Sequence, residues 1–281
     1  MKPRRVETGK IVAFAVAAVG LLICLAPVIW LFSTAFKPFS ELLKEPTALL
    51  PKHPRPQNFT DFFSSFTFWR SFANSCIVAV LSVLGTLASA IPAGYAFARL
   101  KAKGSGIVFA LLIASLMLPG QVTIVPVFRL FASLGMIDTF YPLVLPAWLG
   151  TNALAIFLMR QFFLSLPEEM LEAARMDGAG EGAILVRIAA PLAKPAIATV
   201  AIFAFLGSWN DLWGPLIYLN KASSMTLMVS LMNFVGGSGT AQGTPWNLVM
   251  AGVVVTVLPA FILFGIFQKT FVAGISTTGL K

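Results

Sequence analysis

One short stretch of this chain, from Pro167 to Pro191, concentrates acidic and small side chains between two strongly apolar runs. Carboxylates form ion pairs with basic partners, and alanine or glycine lets a partner approach the backbone closely. The residues that favour such a contact are Glu168, Glu169, Glu172, Ala173, Ala174, Asp177 and Gly178. The stretch is therefore a candidate docking element for another protein. The alternative is an amphipathic connector on the membrane surface, whose acids only cap a helix.

The same stretch predicts its own local structure. Pro167 suits the first turn of a helix, and the acids that follow complement the positive end of the helix dipole. Gly178 can adopt the left-handed conformation that ends a helix, so the first helix is predicted to have about eleven residues. A second short helix is expected from Glu181 to Ala189, closed by Pro191.

A second group of residues with chemical potential is Trp209, Asn210, Asp211 and Trp213, in a later apolar run. Acidic side chains at the edge of a span are costly and usually face the bundle interior, a cavity or a partner. In one interpretation the four residues border a translocation path, where the rings stack on a ligand and the polar groups bond its hydroxyls. In the other, which we favour, Asn210 and Asp211 cap a broken helix and the Trp rings anchor it at the membrane interface.

Gln121 is a further candidate for the path, because it follows a Pro-Gly pair, where a bend could bring it toward a central cavity.

The sequence gives little support to catalysis or to metal binding. Cys24 and Cys76 both lie in apolar segments, and the single histidine, His53, has no ligand partner nearby. We therefore predict no catalytic residue, no metal site and no cofactor in this chain, which is not expected to be an enzyme.

The composition indicates where these residues lie. Of 281 residues, 58% are hydrophobic and only 11% are charged, and the mean hydropathy of +0.86 is far above that of a soluble domain. The chain is predicted to be an all-α membrane protein, because backbone groups in lipid must bond within helices and no barrel-like alternation occurs. The net charge of +9 comes from basic residues at span ends, so nucleic acid is not the expected partner.

Six apolar runs are long enough to cross a bilayer, which needs about 20 helical residues. They lie near Ile11 to Phe32, Phe72 to Phe97, Ile107 to Val127, Pro142 to Phe163, Ala196 to Tyr218 and Leu248 to Phe267. The predicted order is an N-terminus (1–10), a first transmembrane helix (11–32), an irregular external loop (33–71), a five-helix core (72–267) containing residues 167–191, and a C-terminal tail (268–281).

Basic residues set the predicted orientation of these spans. Thirteen of the twenty lysines and arginines fall on one side, and most of the seven others lie in the 33–71 loop, where the positive-inside rule is weaker. Both termini and the 167–191 stretch are therefore expected in the cytoplasm, with the inverted topology as the less favoured alternative. The partner expected for the stretch is then a cytoplasmic protein.

The spacing within the acidic stretch resembles a known signature. The residues that carry a resemblance to the EAA loop of type I ABC-importer permeases are Glu172, Ala173, Ala174, Gly178, Ile188 and Pro191, in that order. Ala190 departs from the pattern, because the family usually has Leu before the proline. Residues 208–216, Ser-Trp-Asn-Asp-Leu-Trp-Gly-Pro-Leu, are similar to a signature of the carbohydrate branch, with Gly214 as an inserted or substituted position.

This resemblance implies a six-helix type I permease fold in which the 167–191 stretch is the cytoplasmic coupling helix. The chain would pair with a homologous second permease in the lipid of a bacterial inner membrane, dock two ATP-binding subunits and receive solute from an external binding protein. Tail residues implied to contact the ATPase are Gly274, Ser276, Thr277 and Gly279. ATP and Mg would be bound by the ATPase, since this chain has no G-x-x-x-x-G-K-[ST] loop.

The implied function is import of a mono- or oligosaccharide, or a polyol, by alternating access. Glycerol-phosphate-type solutes are an alternative, since some members of the branch carry them. Ion-coupled secondary transport is a further alternative. Such transporters place several ionisable groups near the midplane of the membrane, whereas Asp211 stands almost alone here.

Overall fold

The computed structural model describes residues 8–237 and 244–278, without the side chains of Thr8, Gly9, Ile11, Gln121 and residues 268–278. Every regular element among the described residues is a helix, in agreement with the prediction of an all-α protein. Contacts divide the chain into unit 1, Met1–Phe68 with Leu231–Leu258, and unit 2, Trp69–Ser230 with Pro259–Lys281.

The helices are numbered in chain order. They are α1 (Thr8–Ala35), α2 (Phe39–Lys44), α3 (Gln57–Ser65), α4 (Phe68–Arg99), α5 (Ser105–Ser115), α6 (Gly120–Ser133), α7 (Tyr141–Trp148), α8 (Ala153–Leu164), α9 (Glu168–Met176), α10 (Glu181–Ile184), a π-helical turn (Leu185–Ala189), α11 (Ala190–Leu192), α12 (Lys194–Trp209), α13 (Trp213–Tyr218), α14 (Leu227–Gly237) and α15 (Trp246–Thr278).

Several of these helices can cross a membrane. In the described part of the chain, four segments have the length and apolar composition for it: Val12–Ala35, Phe68–Arg99, Tyr141–Leu164 and Trp246–Phe267. A fifth candidate is the pair Glu181–Leu192 and Lys194–Trp209, which are bent by 81°. None of the residues in the most apolar stretch of α1 is buried. An apolar helix exposed in this way needs lipid or another chain around it, so the protein is embedded in a membrane.

The predicted third span, Ile107 to Val127, is not one continuous helix. α5 ends at Ser115 and α6 begins at Gly120, and Pro119 between them is extended, with φ −60° and ψ 129°. The break occurs here because proline has no N–H to donate and its ring clashes with the preceding turn. Each half is shorter than the roughly 20 residues that a span needs, and the count of six spans stays a prediction.

The 33–71 segment, predicted as irregular, is folded. It contains α2 and α3 and is held by Asn58, whose Nδ2 donates to the carbonyls of Ala35 and Lys37, both at 2.8 Å. The Oδ1 atom of Asn58 accepts a hydrogen bond from Asn247 Nδ2 at 3.1 Å. This fold could not be predicted from the proline-rich sequence, because the hydrogen bonds of the one buried amide join it to three residues distant in the chain.

Unit 1 also has an aromatic core centred on Phe62, which is fully buried. Its ring makes edge contacts with Phe66, Phe68 and Phe234, at centroid distances of 5.2, 5.7 and 5.8 Å. A Cβ at Gly252 would lie 2.4 Å from the Phe62 ring, so only glycine fits there. Aromatic packing of this kind stabilises the unit beyond the burial of area.

The core of unit 2 joins α4, α8, α9, α10, the π-helical turn and α12. Its buried residues are Ala90, Tyr95, Ala155, Ile156, Met159, Phe163, Leu171, Ala174, Ile184, Ala189, Ala193 and Val200. Residues of the acidic 167–191 stretch are therefore part of the same core as residues of three predicted spans. The stretch is an integral part of unit 2 and not a loose connector.

Small residues let α4 approach its neighbours closely. A Cβ at Gly85 would lie 2.4 Å from the Trp148 ring of α7. A Cβ at Gly94 would lie 2.6 Å from Met159 Cβ and 2.9 Å from the backbone nitrogen of Arg160, both on α8. Packing of this kind through small residues is common between membrane helices.

Gly94→Ala tests the contact between α4 and α8. The added methyl group meets backbone that cannot rotate away, so the helices must separate, and we expect the free energy of unfolding to fall by about 1–3 kcal/mol. Unfolding in detergent measures this change. Gly106→Ala on α5, where an added Cβ meets nothing within 4 Å, is the control and should leave the free energy of unfolding unchanged or raise it by up to about 1 kcal/mol, because alanine favours a helix more than glycine does. Equal stability of the two variants would contradict the close packing.

Candidate functional site

The first half of the 167–191 stretch forms a helix of nine residues, where about eleven were predicted. α9 begins at Glu168, directly after the extended Pro167 (φ −59°, ψ 130°), with Glu168 and Glu169 in its first turn. Gly178 follows the helix with φ +83°, the left-handed conformation that a side chain disfavours. Both ends of α9 are thus fixed by residues that the sequence identifies.

The second half differs from the prediction of one helix closed by Pro191. α10 passes into the π-helical turn and then into α11, so Pro191 lies within the first turn of a short helix. Proline is tolerated there because the N–H groups of a first helical turn have no partner inside the helix. The bend of 81° follows α11, next to Ala193, which is fully buried.

α9 exposes one face and buries the other. Besides Glu168, the exposed residues of this helix and of the two positions after it are Glu169, Glu172, Ala173, Met176, Asp177 and Gly178, and these six we call the docking face. Met176 is 88% exposed, whereas Leu171 is fully buried and Ala174 is only 9% exposed. The expectation that both alanines are open to a partner is therefore corrected, because Ala174 lies with Leu171 on the stripe that packs into unit 2.

Glu168 also differs from the predicted set of docking residues, because its carboxylate contacts arginines of its own chain. Its Oε2 atom accepts a hydrogen bond from Nη1 of Arg99, and its Oε1 atom accepts one from Nη1 of Arg175 at 3.2 Å. Both contacts are ion pairs. Glu168 therefore holds α9 in place, and its side chain stays half exposed.

These ion pairs belong to a closed network that sequence reasoning missed. Arg175 Nε donates to Oε1 of Glu181 at 2.8 Å, and the Tyr95 hydroxyl donates to Oε2 of Glu181 at 2.7 Å. Tyr95 and Arg99 are four residues apart on α4, so the chain of bonds returns to the helix where it began. We call Tyr95, Arg99, Glu168, Arg175 and Glu181 the charged ring; its two arginines balance its two glutamates.

Arg99 is the anchor of the charged ring. Its side chain is 9% exposed, and it donates from Nε and Nη2 to the carbonyl of Phe163, at 3.0 and 2.7 Å, and from Nη2 to the carbonyl of Leu166. The last carbonyls of a helix have no partner within it and form the negative end of its dipole. One guanidinium therefore satisfies the end of α8 and pairs with the first residue of α9.

The contacts of the charged ring change the pKa values of Glu181 and Arg175. Hydrogen bonds from Arg175 and then from Tyr95 hold the pKa of Glu181 below its ordinary value. Bonds to Glu181 and Glu168 raise the pKa of Arg175. Because the folded-state pKa of Glu181 is lowered, its contribution to stability is present above the ordinary pKa of a glutamate and is lost as the pH falls through the folded-state value.

The later polar group splits into packing residues and exposed residues. Trp209 is 3% exposed, with its ring stacked on Phe205 at 5.5 Å and edge-on to Phe72 at 5.7 Å. Asp211 Oδ1 accepts a hydrogen bond from the backbone N–H of Gly214 at 3.1 Å, which caps the first turn of α13. Asp211 therefore makes the kind of capping contact that we expected, whereas Trp209, expected to anchor the helix at the membrane interface, is buried among aromatic rings.

The remaining path candidates are less constrained. Asn210 is exposed and Trp213 is 61% exposed, so these two side chains are open to lipid, solute or a partner. Gln121 lies in the first turn of α6, with its side chain outside the described residues.

The end of the chain differs from the predicted tail, because α15 continues through residue 268 to Thr278. Of the residues expected to contact an ATPase there, Gly274, Ser276 and Thr277 fall in a part of α15 whose side chains are outside the description, and Gly279 lies outside the described residues altogether.

Among the side chains that the structure describes, no group of three or more His, Cys, Asp or Glu residues is placed to hold a metal ion.

Comparison with known proteins gives a family match over the region that holds this site. The model of the family described as binding-protein-dependent transport system inner membrane component matches residues 90–277. The arabinooligosaccharides transport system permease protein of Halalkalibacterium halodurans is 33% identical over 263 residues, which are 92% of each chain. The sn-glycerol-3-phosphate transport system permease protein of Yersinia pestis is 32% identical over 263 residues, again 92% of each chain.

A solved structure shows the same fold. The structure of a bacterial ABC transporter involved in the import of the acidic polysaccharide alginate contains a chain that superposes with a TM-score of 0.81. The two chains are 25% identical, and the superposition covers 96% of this chain and 98% of the other.

Gly214 is required by the Asp211 cap, because a Cβ there would lie 2.5 Å from Asp211 Oδ2 and 3.0 Å from Leu143 Cδ2. We expect Gly214→Ala and Asp211→Ala each to lower the free energy of unfolding in detergent by about 0.5–2 kcal/mol. The double variant should lose less free energy of unfolding than the two single variants lose together, because the added methyl group then meets no carboxylate. Gly207→Ala, with nothing within 4 Å of the added Cβ, is the control, and strictly additive losses would rule out the shared cap.

Proposed function

Because this chain belongs to the family of inner-membrane components of binding-protein-dependent transport systems, we propose that it imports a saccharide in a cycle driven by separate ATPase subunits. Membership makes the chain the permease of an ABC importer, which is a membrane subunit and not an enzyme. The partners, the direction of the cycle and the solute are the parts that we propose.

The docking face is the observation that carries the coupling role. Glu169, Glu172 and Asp177 give this exposed face a negative charge, so it favours a basic partner surface. Ala173 allows a groove wall to approach, and Met176, 88% exposed, offers an adaptable apolar side chain to a pocket. The opposite side of α9 is buried in unit 2, so a partner that pushes on the face moves packed helices and not a free loop.

The complete importer is proposed to contain this chain, a homologous second permease, two ATP-binding subunits that hold ATP and Mg, and an external binding protein. The family description, which names binding-protein-dependent systems, supports the last of these. The exposed apolar surface of α1 supplies area for lipid and for the second permease. The proposed location is a bacterial inner membrane, with both termini and the docking face in the cytoplasm.

A saccharide is the proposed solute because relatives over nearly the whole chain are named for arabinooligosaccharides and, in a solved structure, for alginate. Glycerol phosphate is the second candidate, favoured by the Yersinia pestis relative. The ion-coupled alternative is set aside, since members of this family are components of binding-protein-dependent systems. Asp211, which stands almost alone as an acid in the predicted spans, makes a capping contact with Gly214.

Glu172→Lys combined with Gly178→Pro tests the docking face. The first change reverses a charge on the face, and the second places a residue with φ fixed near −65° where the backbone has φ +83°. We expect copurification of the ATPase subunits and solute uptake to fall by about tenfold or more.

The matched control for the charge change is Asp61→Lys, which makes the same change at a partly exposed acid of unit 1 that forms an ion pair with Arg55. Asp61→Lys should leave copurification of the ATPase subunits and solute uptake unchanged. If the double variant still binds the ATPase and transports as the wild type does, the coupling role is wrong.

The solute is tested with the cognate binding protein and with sealed, right-side-out vesicles or proteoliposomes that hold ATP in their lumen. We expect the binding protein to bind a member of a saccharide panel, and the vesicles to accumulate that saccharide only with ATP. An uncoupler should not stop the uptake, because no ion gradient drives it. Binding of sn-glycerol 3-phosphate, with no response to any saccharide, would instead select the second candidate.

A further inference from the structure

The charged ring attaches the 167–191 stretch, which we call the docking loop, to α4 at two separate points. Arg99 pairs with Glu168 at the start of α9, and Tyr95 donates to Glu181 at the start of α10. The two attachment residues are four positions apart, about 6 Å along the helix axis. A single attachment would let the loop rotate about it, whereas two attachments fix its orientation on α4.

Each attachment is itself held by further contacts. Arg99 uses a planar fork of donors on the carbonyls of Phe163 and Leu166, a geometry that lysine or glutamine cannot reproduce. The Tyr95 ring packs edge-on against Phe163, with centroids 5.5 Å apart and planes at 88°. The end of α4, the end of α8 and the starts of α9 and α10 therefore meet around Phe163.

The ion pairs of the ring are poorly suited to a purely stabilising role. The side chains of Glu168, Arg175 and Glu181 are partly open to solvent, and ion pairs exposed in this way contribute little to stability. What the ring supplies is a fixed geometry, since each carboxylate bridges two donors on different elements. That geometry connects the docking face to a 32-residue helix, Phe68–Arg99, that is long enough to span the membrane.

We infer that Arg99 and Tyr95 are positioning residues that make the docking loop and the adjoining end of α4 move as one body. A push on the docking face then displaces α4 directly, in addition to the helices that the loop touches through its core. The inference rests on the proposed function, because it presupposes an ATPase at the docking face. It goes beyond that function by naming the residues that transmit the movement to a span.

The test uses the complete importer, with its ATPase subunits and binding protein, in proteoliposomes. Arg99→Gln removes the fork, and Tyr95→Phe removes only the hydroxyl while keeping the ring against Phe163. The controls are Lys101→Gln, at an exposed basic residue just beyond α4, and Tyr141→Phe, at a tyrosine that is 60% exposed. Three quantities are measured: ATPase subunits retained, the rate of ATP hydrolysis, and solute imported per ATP hydrolysed.

We expect both ring variants to retain the ATPase subunits and to continue hydrolysing ATP. Solute imported per ATP should fall roughly 5- to 100-fold for Arg99→Gln, the range of an allosteric coupling, and by less for Tyr95→Phe. Arg99→Lys, which keeps the charge without the fork, should restore only part of the loss. A residue needed only for folding would lower hydrolysis and import in parallel and leave their ratio unchanged.

Unchanged solute per ATP in both ring variants, with ATPase subunits bound, would overturn the inference and leave the proposed function standing. A parallel loss of hydrolysis and import in Tyr95→Phe would also overturn it. If Arg99→Gln does not fold, Tyr95→Phe decides alone. Failure of the wild-type chain to bind any ATPase would refute the proposed function itself, which is a different result.

Discussion

The need to satisfy the carbonyl groups at and just after the end of α8 is the constraint around which the docking loop is arranged. The last carbonyls of a helix have no partner inside it, and α9 begins only four residues after α8 ends. Arg99 resolves this because its guanidinium reaches the Phe163 and Leu166 carbonyls and the Glu168 carboxylate together. The residue that completes one helix thus fixes the start of the next, and the exposed face of α9 inherits its orientation from α4.

Features that depend on neighbours along the chain could be predicted from the sequence. Pro167, the acids after it and Gly178 define α9, because dipole and glycine effects act within one turn. The Pro-Gly pair at Pro119 signalled a break for the same local reason. The charged ring could not be predicted in this way, since Tyr95 and Glu181 are 86 residues apart. The sequence showed Arg99 and Arg175 only as basic residues on one side of the membrane.

Residue type was a weaker guide wherever tertiary contacts decide exposure. Ala174 matches the docking signature as well as Ala173 does, yet the packing of α9 against unit 2 buries it. Trp209 has the chemistry to stack on a sugar but packs against Phe72 and Phe205. Asn58, in a proline-rich stretch, is buried because its amide finds partners from distant residues. In each case the contacts that decide burial come from residues distant in the sequence.

α1 has a different relation to the rest of the molecule. None of the residues in its most apolar stretch is buried, and the family match begins at residue 90, well beyond it. Exchanging one apolar side chain for another along this stretch therefore creates no cavity and disturbs no packing partner within the chain. Constraints on these side chains must therefore come from the lipid or from another chain around the helix. On physical grounds, exchanges in this stretch can adjust its apolar length to membranes of different thickness without disturbing the packed core of unit 2.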